Sequence, residues 1–233
     1  MRNSDRFLLA YNLIEKALKQ YSPNEHFTSF PKLIFNAKGS NAVVRKYYDD
    51  LKEFAELRNA IVHDSFDTIH AIAEPHDKIV EKIENIMQEI SAPKKAIPFF
   101  ESDVTVFQSN NSLKDILIAI NKFSYSKFPV YENKIYIGLL TKTNIIDWLA
   151  KKVDSLDRLS FSEILIKDIL SQQKKPKNYM FINKNITIYD IREIFYKSTF
   201  KDQKIEALLI SDNGSENGKL LGIITPADLI KIP

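Results

Sequence analysis

The sequence has no cysteine among its 233 residues, and it has only five glycines and one tryptophan. The absence of cysteine excludes a disulfide framework, thiolate metal sites and a cysteine nucleophile. It also agrees with a reducing compartment. No apolar run approaches the roughly 20 residues that a membrane-spanning helix needs. The polar start, Met1–Arg6, is unlike a signal peptide. We therefore predict a cytoplasmic protein without a membrane partner and without a metal.

An excess of charge of one sign is also missing. The chain has 33 Lys and Arg residues against 30 Asp and Glu residues, a net charge of +3. Surfaces that bind duplex DNA usually carry a strong basic excess, so we expect no DNA partner. The hydrophobic fraction of 44% is that of an ordinary globular protein and excludes disorder as the main state. All four histidines lie within the first 76 residues, so any histidine chemistry belongs to the N-terminal part.

A linker with two prolines, residues 93–98, divides the chain into two parts. Its prolines interrupt any helix, and its lysines suit an exposed connector. Before it, apolar residues recur at helical spacing. The spacing predicts helices that start after Ser4 as N-cap, over 41–62, and from Pro75, with a short helix or loop over 27–35. Residues 1–92 are therefore predicted to form an all-α domain.

After the linker, short β-branched and aromatic stretches alternate with helical stretches in an order that occurs twice. The clearest correspondence is between Gly138-Leu139-Leu140-Thr141-Lys142-Thr143-Asn144 and Gly222-Ile223-Ile224-Thr225-Pro226-Ala227-Asp228. Two repeats of this size are expected to pack on each other. The fold class that we predict is α+β with two domains, in which residues 99–155 and 156–233 form two β-α-β-β-α repeats.

Each repeat closes with a threonine that is followed, three residues later, by Asn144 or Asp228. The local interpretation is a capping box, which only starts a helix. The functional interpretation is that the turn presents a hydroxyl, backbone N–H groups and a carboxylate at a helix N-terminus. These groups suit a phosphate and the two hydroxyls of a ribose. The occurrence of the pattern in both repeats, at the same place, favours the functional interpretation.

Residues 99–233 resemble a tandem pair of CBS domains, known as a Bateman module. The likeness rests on the hairpin formed by Phe128–Glu132 and Ile137–Thr141 and on the closing motif Gly222–Leu229. The resemblance implies a cleft between the repeats that binds AMP, ADP, ATP or S-adenosylmethionine. Carried over by position, it implies that Thr225 contacts phosphate or ribose, that Asp228 contacts the ribose hydroxyls, and that Ile223 contacts the adenine.

The matching positions of the first repeat are Leu139, Thr141, Thr143 and Asn144. Here an amide replaces the carboxylate that the CBS family usually has. An amide still accepts a hydrogen bond from a ribose hydroxyl, but without the strength that a charge adds. We therefore expect the second repeat to hold the better site.

A second motif, Arg58-Asn59-Ala60-Ile61-Val62-His63, lies at the end of the helix predicted over 41–62. In a structural interpretation, Arg58 pairs with a carboxylate of a neighbouring helix, and His63 caps the last carbonyls. In a functional one, His63 transfers a proton and Arg58 stabilises a scissile phosphate.

Residues 1–92 are similar to the HEPN superfamily, whose signature is an arginine, four to six residues, and a histidine. The resemblance implies dimerisation that brings two motifs together. In active members it also implies metal-independent RNA cleavage, with Arg58, Asn59 and His63 as the catalytic residues.

Together these features predict a non-enzymatic regulatory homodimer, formed through the CBS pair and the helical domain. An adenine nucleotide or S-adenosylmethionine is its ligand, and occupancy modulates the helical dimerisation domain. One alternative is a nucleotide-gated HEPN-type ribonuclease that acts on RNA. A second alternative is a scaffold whose CBS pair is empty.

Overall fold

The computed structural model describes residues 1–22, 28–63, 74–154, 160–172, 178–200 and 204–232. These residues divide into two compact units. The helical unit consists of Met1–Lys94 and Thr187–Glu193, and the α/β unit consists of Lys95–Ile186 and Ile194–Pro233. A short piece of the second repeat thus belongs to the helical unit.

The helical unit is built from amphipathic helices, as the sequence predicts. Its helices are α1 (Asn3–Leu18), α2 (Phe30–Lys38), α3 (Ala42–Lys46), α4 (Tyr48–His63) and α5 (Asp77–Ser91). A 3-10 turn, Lys19–Tyr21, follows α1. The apolar stripe of α1 is buried, and Phe7 meets Phe54 of α4 edge to face at 5.7 Å between ring centroids. Helix α5 buries Val80 and Ile83 in the same way.

The start of α1 differs from the sequence prediction. The helix begins at Asn3, and Ser4 is not its N-cap. Instead, the Ser4 backbone N–H and hydroxyl donate to the two carboxylate oxygens of Glu74 at 2.8 and 2.7 Å. Ser4 therefore holds α1 to the segment that precedes α5, a long-range contact that a local pattern does not contain.

The helix predicted over 41–62 is interrupted at Tyr47, whose φ and ψ of −105° and 21° are not helical. The side chain of Asn41 accepts the N–H groups of Val43 and Val44 and caps α3. A separate helix, α4, then starts with acidic residues in its first turn, which suit the helix dipole. The capping residue and the acidic turn explain why one predicted helix is two.

The last helix of the unit, α5, starts at Asp77 rather than at Pro75. Its N-cap is His76, whose ring nitrogen Nδ1 accepts the N–H of Lys78 at 3.3 Å. Pro75 therefore precedes the cap, and His76 has a structural role.

The α/β unit contains the predicted order of elements twice. The first set is α6 (Ala96–Phe99), β1 (Phe107–Gln108), α7 (Leu113–Phe123), β2 (Lys127–Glu132), β3 (Ile135–Thr141) and α8 (Lys142–Lys151). The second is α9 (Ile166–Ser171), β4 (Tyr179–Asn183), α10 (Ile188–Thr199), β5 (Ala207–Ser211), β6 (Leu220–Ile224) and a 3-10 helix, Pro226–Lys231. Each set forms a three-stranded sheet, with the first two strands parallel and the last two antiparallel.

The two sheets correspond residue by residue. Val130 pairs with Gly138 in the first sheet, Ile210 pairs with Gly222 in the second, and a register shift follows directly after Val130 and after Ile210. At Gly222 a side chain is excluded, because a Cβ atom would overlap the carbonyl oxygen of Phe100. The internal repeat predicted from the sequence is therefore confirmed in strand order and in register.

The core of repeat 1 includes residues that lie far along the chain. It is lined by Phe107, Leu113, Ile116, Ala119, Phe128, Val130, Leu140, Ile145, Trp148, Ile164, Ile166 and Ile169. The last three lie beyond the predicted boundary at 155, yet they pack with the first repeat. The N–H of Leu113 donates to the carbonyl of Ile164 at 2.8 Å, which fixes this crossing segment.

Two further features of the structure differ from what the sequence predicts. The sequence predicts an α-helix from Pro226, whereas the structure has a six-residue 3-10 helix there. The linker is not wholly exposed, because Ala96 is buried and its N–H donates to the carbonyl of Ile186 at 2.7 Å. In the described ranges, no helix is both long enough and apolar enough to cross a membrane.

Candidate functional site

The turn that closes repeat 2 is organised around the carboxylate of Asp228. The Thr225 N–H and hydroxyl donate to the Oδ2 atom of Asp228 at 2.9 and 2.8 Å. The Nζ atom of Lys231 donates to the Oδ1 atom at 2.6 Å. Both carboxylate oxygens are thus engaged within the turn, and the residues of the predicted motif are in contact with each other.

The environment of Asp228 keeps its side chain ionised. Burial raises the pKa of the Asp228 carboxyl, but the hydrogen bonds from Lys231 and Thr225 outweigh burial and hold the pKa below its usual range. A carboxylate that stays charged at neutral pH is the stronger acceptor for hydroxyl groups of a ligand.

A cavity of about 350 Å³ opens beside this turn. Its wall contains Ile223, Thr225, Asp228 and Lys231, together with residues 102–105 and 124–127. The volume lies within the range of small-molecule sites. The structure therefore brings all three residues predicted for repeat 2 to one cavity wall.

The two flanking segments lie outside the sequence motif that predicted the site. Both are fixed by backbone hydrogen bonds. The N–H of Ser102 donates to the carbonyl of Leu221 at 3.2 Å, and the N–H of Lys142 donates to the carbonyl of Ser126 at 3.1 Å. The first contact joins distant parts of the chain, whereas the second continues the β2–β3 hairpin beyond the pair of Lys127 and Thr141. No local pattern in the sequence indicates the contact between Ser102 and Leu221.

Lys127 is the most enclosed charged group of the cavity wall, with a side chain only 16% exposed. Its Nζ atom donates to the Oε2 atom of Glu206 at 2.5 Å. The Oε1 atom of Glu206 accepts the side-chain amide of Asn178 at 3.0 Å. The ammonium group of Lys127 is therefore held by a carboxylate that is itself held in place.

The closing turn of repeat 1 has the same two hydrogen bonds from its threonine, together with a bond back to that threonine. The N–H and hydroxyl of Thr141 donate to Oδ1 of Asn144 at 3.0 and 2.7 Å, and the N–H of Asn144 donates to the Thr141 hydroxyl at 3.1 Å. Thr141 is buried and Thr143 is exposed. Leu139 is buried in a cluster with Tyr136, Ala207 and Leu209.

The structure thus brings Thr141 and Asn144 together, and the roles predicted for the four residues of repeat 1 stay predictions.

The motif of the helical unit is described only in part. Arg58 is half-buried on α4, and its Nη1 atom donates to Oδ1 of the exposed Asn59 at 3.5 Å. Burial, with the nearby carboxylate of Glu15, raises the pKa of the Tyr11 phenol, and the charge of Arg58 opposes that rise. His63 ends α4, and its side chain lies outside the described residues.

Metal coordination finds no support in the parts of the chain that are described. No group of three or more His, Cys, Asp or Glu side chains in those ranges is arranged to hold a metal ion.

Comparison with known proteins identifies the repeated part. The family model of the CBS domain matches residues 97–151 and 166–233. The second match begins at α9, which the sequence analysis placed inside the second repeat.

Solved structures of CBS-domain proteins match part of this chain. CBSX2, solved in complex with AMP, is 13% identical with a TM-score of 0.42, and the match covers 59% of this chain and 94% of that chain. The CBS domains of a transcriptional regulator from Streptococcus pneumoniae are 18% identical with a TM-score of 0.38, covering 54% and 86%. A CBS domain-containing protein from Kribbella flavida is 13% identical with a TM-score of 0.42, covering 57% and 95%.

Proposed function

This chain belongs to the CBS-domain family, and we propose that the repeat 2 cavity binds an adenosine ligand, namely AMP, ADP, ATP or S-adenosylmethionine. Asp228 accepts the ribose hydroxyls, Thr225 contacts ribose or phosphate, and Ile223 packs against the adenine. The observation that carries this proposal is the cavity of about 350 Å³ that these three residues line together.

The chemistry of Asp228 suits a ribose. Two neighbouring hydroxyls donate to the two oxygens of a carboxylate, and a hydrogen bond to a charged group contributes about 1.5–3 kcal/mol. In the structure, Oδ1 of Asp228 holds Lys231, whose side chain is 66% exposed. Such an exposed ion pair contributes only about 0–1 kcal/mol, so a ribose displaces Lys231 at small cost.

We also propose that ligand occupancy modulates the helical unit, in a cytoplasmic protein that forms a homodimer through the CBS pair and the helical unit. Support comes from α10, whose first residues belong to the helical unit while the rest belong to the α/β unit. Within the helical unit, Glu193 of α10 pairs with Arg45 of α3, and Lys46 lies over the ring of Tyr189. The ligand can shift the helical unit between two conformations only by as much free energy as its binding differs between those conformations.

Isothermal titration of the full-length chain with AMP, ADP, ATP and S-adenosylmethionine tests the binding proposal. We expect at least one ligand to bind, with affinity at least tenfold lower in Asp228→Ala. Asp115→Ala is the matched control, because Asp115 accepts the N–H and hydroxyl of Ser112 in the same kind of capping box away from this cavity. Its affinity should equal that of the wild type.

Two results would contradict the proposal. If no adenosine ligand binds the wild type, the CBS pair is a scaffold with an empty cavity. If Asp115→Ala weakens binding as much as Asp228→Ala, the loss reports disturbed folding rather than a missing ribose contact.

A second proposal concerns the helical unit, which we infer to be similar to HEPN domains. It is a nucleotide-gated, metal-independent ribonuclease with Arg58 as phosphate ligand, Asn59 as orienting residue and His63 as acid and base. Support comes from the contact between Arg58 and Asn59, one turn before the end of α4. Cleavage of mixed RNA in EDTA, with and without the adenosine ligand, tests it. RNA that stays intact at high protein concentration, or equal cleavage by His63→Ala, would exclude this activity.

A further inference from the structure

The cavity of repeat 2 is poorly equipped to bind several phosphates. We infer that it selects an adenosine ligand with one phosphate or none, and that it discriminates against ATP. This inference rests on the proposed function, because it names the ligand class of the same site.

The charged side chains on the cavity wall balance. They are Asp103 and Asp228, with one negative charge each, and Lys127 and Lys231, with one positive charge each. Neither arginine nor histidine occurs among the described residues that line this cavity. The wall therefore offers no net positive charge to the four negative charges of free ATP.

Both ammonium groups are already engaged by carboxylates. Lys231 donates to Asp228, and Lys127 donates to Glu206. A ribose that displaces Lys231 from Asp228 frees one ammonium group for a single phosphate. A polyphosphate would also have to draw Lys127 away from Glu206, and it would leave that carboxylate close to its own negative charge. Like charges in a partly enclosed site repel each other strongly, because solvent screens them poorly.

Uncharged donors are plentiful by contrast. The wall carries the hydroxyl groups of Ser102, Thr105, Ser124, Tyr125 and Ser126, in addition to that of Thr225. Hydroxyl groups bind the polar edge of a base, a ribose or a single phosphate without a large Coulomb term. The chemistry of the wall is that of a nucleoside or nucleoside monophosphate site.

Lys127 gives a direct way to test the role of charge. Glu206→Gln removes the negative charge that holds Lys127 and keeps a side-chain oxygen for the amide of Asn178. It releases a cation toward the cavity without changing a residue of its wall. Glu163→Gln makes the same charge change on an exposed side chain that does not line the cavity, and it is the matched control.

The experiment is isothermal titration of the full-length chain with adenosine, AMP and ATP, in EDTA so that the full charge of each ligand acts. We expect adenosine and AMP to bind the wild type with similar affinity and ATP at least tenfold more weakly. In Glu206→Gln, ATP should bind at least threefold more tightly than to the wild type, with adenosine unchanged within twofold. Glu163→Gln should match the wild type for all three ligands.

The possible failures are distinguishable. Equal or tighter binding of ATP than of AMP by the wild type would overturn the selectivity and leave the proposed function intact. The selectivity would also be overturned if Glu206→Gln, folded as judged by its melting temperature, bound ATP no more tightly than the wild type does. It would likewise be overturned if the variant bound adenosine and ATP more tightly by the same factor. Failure of adenosine, AMP and ATP alike to bind the wild type would remove the selectivity, and failure of every adenosine ligand would remove the proposed function as well.

Discussion

Repeats 1 and 2 close with the same turn, but one turn has the amide of Asn144 and the other has the carboxylate of Asp228. In both, a side-chain oxygen accepts the N–H and hydroxyl of the threonine three residues earlier, at 3.0 and 2.7 Å in repeat 1 and at 2.9 and 2.8 Å in repeat 2. An amide therefore stabilises this turn through the same two hydrogen bonds as a carboxylate does. The negative charge of Asp228 is not needed for the turn, which supports a role for it in binding.

The surroundings of the two turns differ as well. Thr141 is only 1% exposed and starts a ten-residue α-helix, whereas Thr225 is half-buried on a cavity wall and precedes a six-residue 3-10 helix. The same sequence pattern thus gives the same two hydrogen bonds from the threonine, but a different exposure of the threonine side chain. Each prediction below changes one side of this comparison.

The largest effect is expected in the cores of the sheets. Phe128 is fully buried in repeat 1 and meets Phe107 edge to face at 5.7 Å. Phe128→Ala should lower the free energy of unfolding by about 3–5 kcal/mol, because it leaves a cavity in a packed core. Trp148, the single tryptophan of the chain, is buried in the same core. Its fluorescence during urea unfolding measures the loss.

Leu208 is the matched residue of repeat 2, fully buried at the position that corresponds to Phe128. Leu208→Ala should also shift the transition seen by Trp148, since Tyr136 and Leu139 of repeat 1 pack with Ala207 and Leu209 of repeat 2. A transition that stays in place would mean that the repeats unfold separately.

Much of this architecture could be predicted from the sequence, because it rests on local periodicity. The two β-α-β-β-α repeats follow from the alternating apolar stretches. The equivalence of Gly138 and Gly222 follows from the glycine positions. The interruption of the predicted helix at Tyr47 and the contact of Ser4 with Glu74 could not be predicted from local periodicity. They depend on a cap at Asn41 and on a distant carboxylate, Glu74.

For the candidate site, Ile223, Thr225 and Asp228 were predicted, because they belong to one contiguous motif. The segment 102–105 was not, because it reaches the cavity through a contact between distant parts of the chain, the hydrogen bond from Ser102 to Leu221. The ion pair between Lys127 and Glu206 was not predicted either, for the same reason. Lys127 and Glu206 are 79 residues apart in the chain.

The next effect in size is expected from Asp228→Asn, which gives repeat 2 the side chain of repeat 1. The turn should stay intact, since Asn144 makes the same hydrogen bonds. The affinity for the adenosine ligand should fall about five- to tenfold, roughly 1–1.4 kcal/mol, because hydrogen bonds to an uncharged acceptor are weaker. Titration calorimetry measures the affinity, and a melting temperature lowered by no more than about 2–4 °C is the control for folding. Undiminished affinity would show that the charge of Asp228 is irrelevant to binding.

The reciprocal variant, Asn144→Asp, sharpens the comparison from the other side. It supplies the carboxylate that repeat 1 lacks, and the melting temperature should change little because the capping bonds are kept. We expect the ligand stoichiometry in calorimetry to rise from about one to about two per chain. A stoichiometry that stays at one would mean that other residues, rather than Asn144, limit binding at repeat 1.

The smallest effect concerns the pH dependence of stability. The pKa of Asp228 is lower in the folded chain than its ordinary value, although burial alone would raise it, because Lys231 and Thr225 bind the charged form. The carboxylate therefore adds stability above its unfolded pKa of about 3.9, and this stability is lost as the pH falls through the lower folded pKa. The gain is about 1 kcal/mol or less, since Lys231 is largely exposed. The difference in melting temperature between the wild type and Asp228→Asn should be constant from pH 5 to pH 8 and should shrink as the pH falls below about 4, through the lowered folded pKa. A difference that instead grew toward low pH would mean that burial dominates and that Asp228 is protonated more easily in the folded chain.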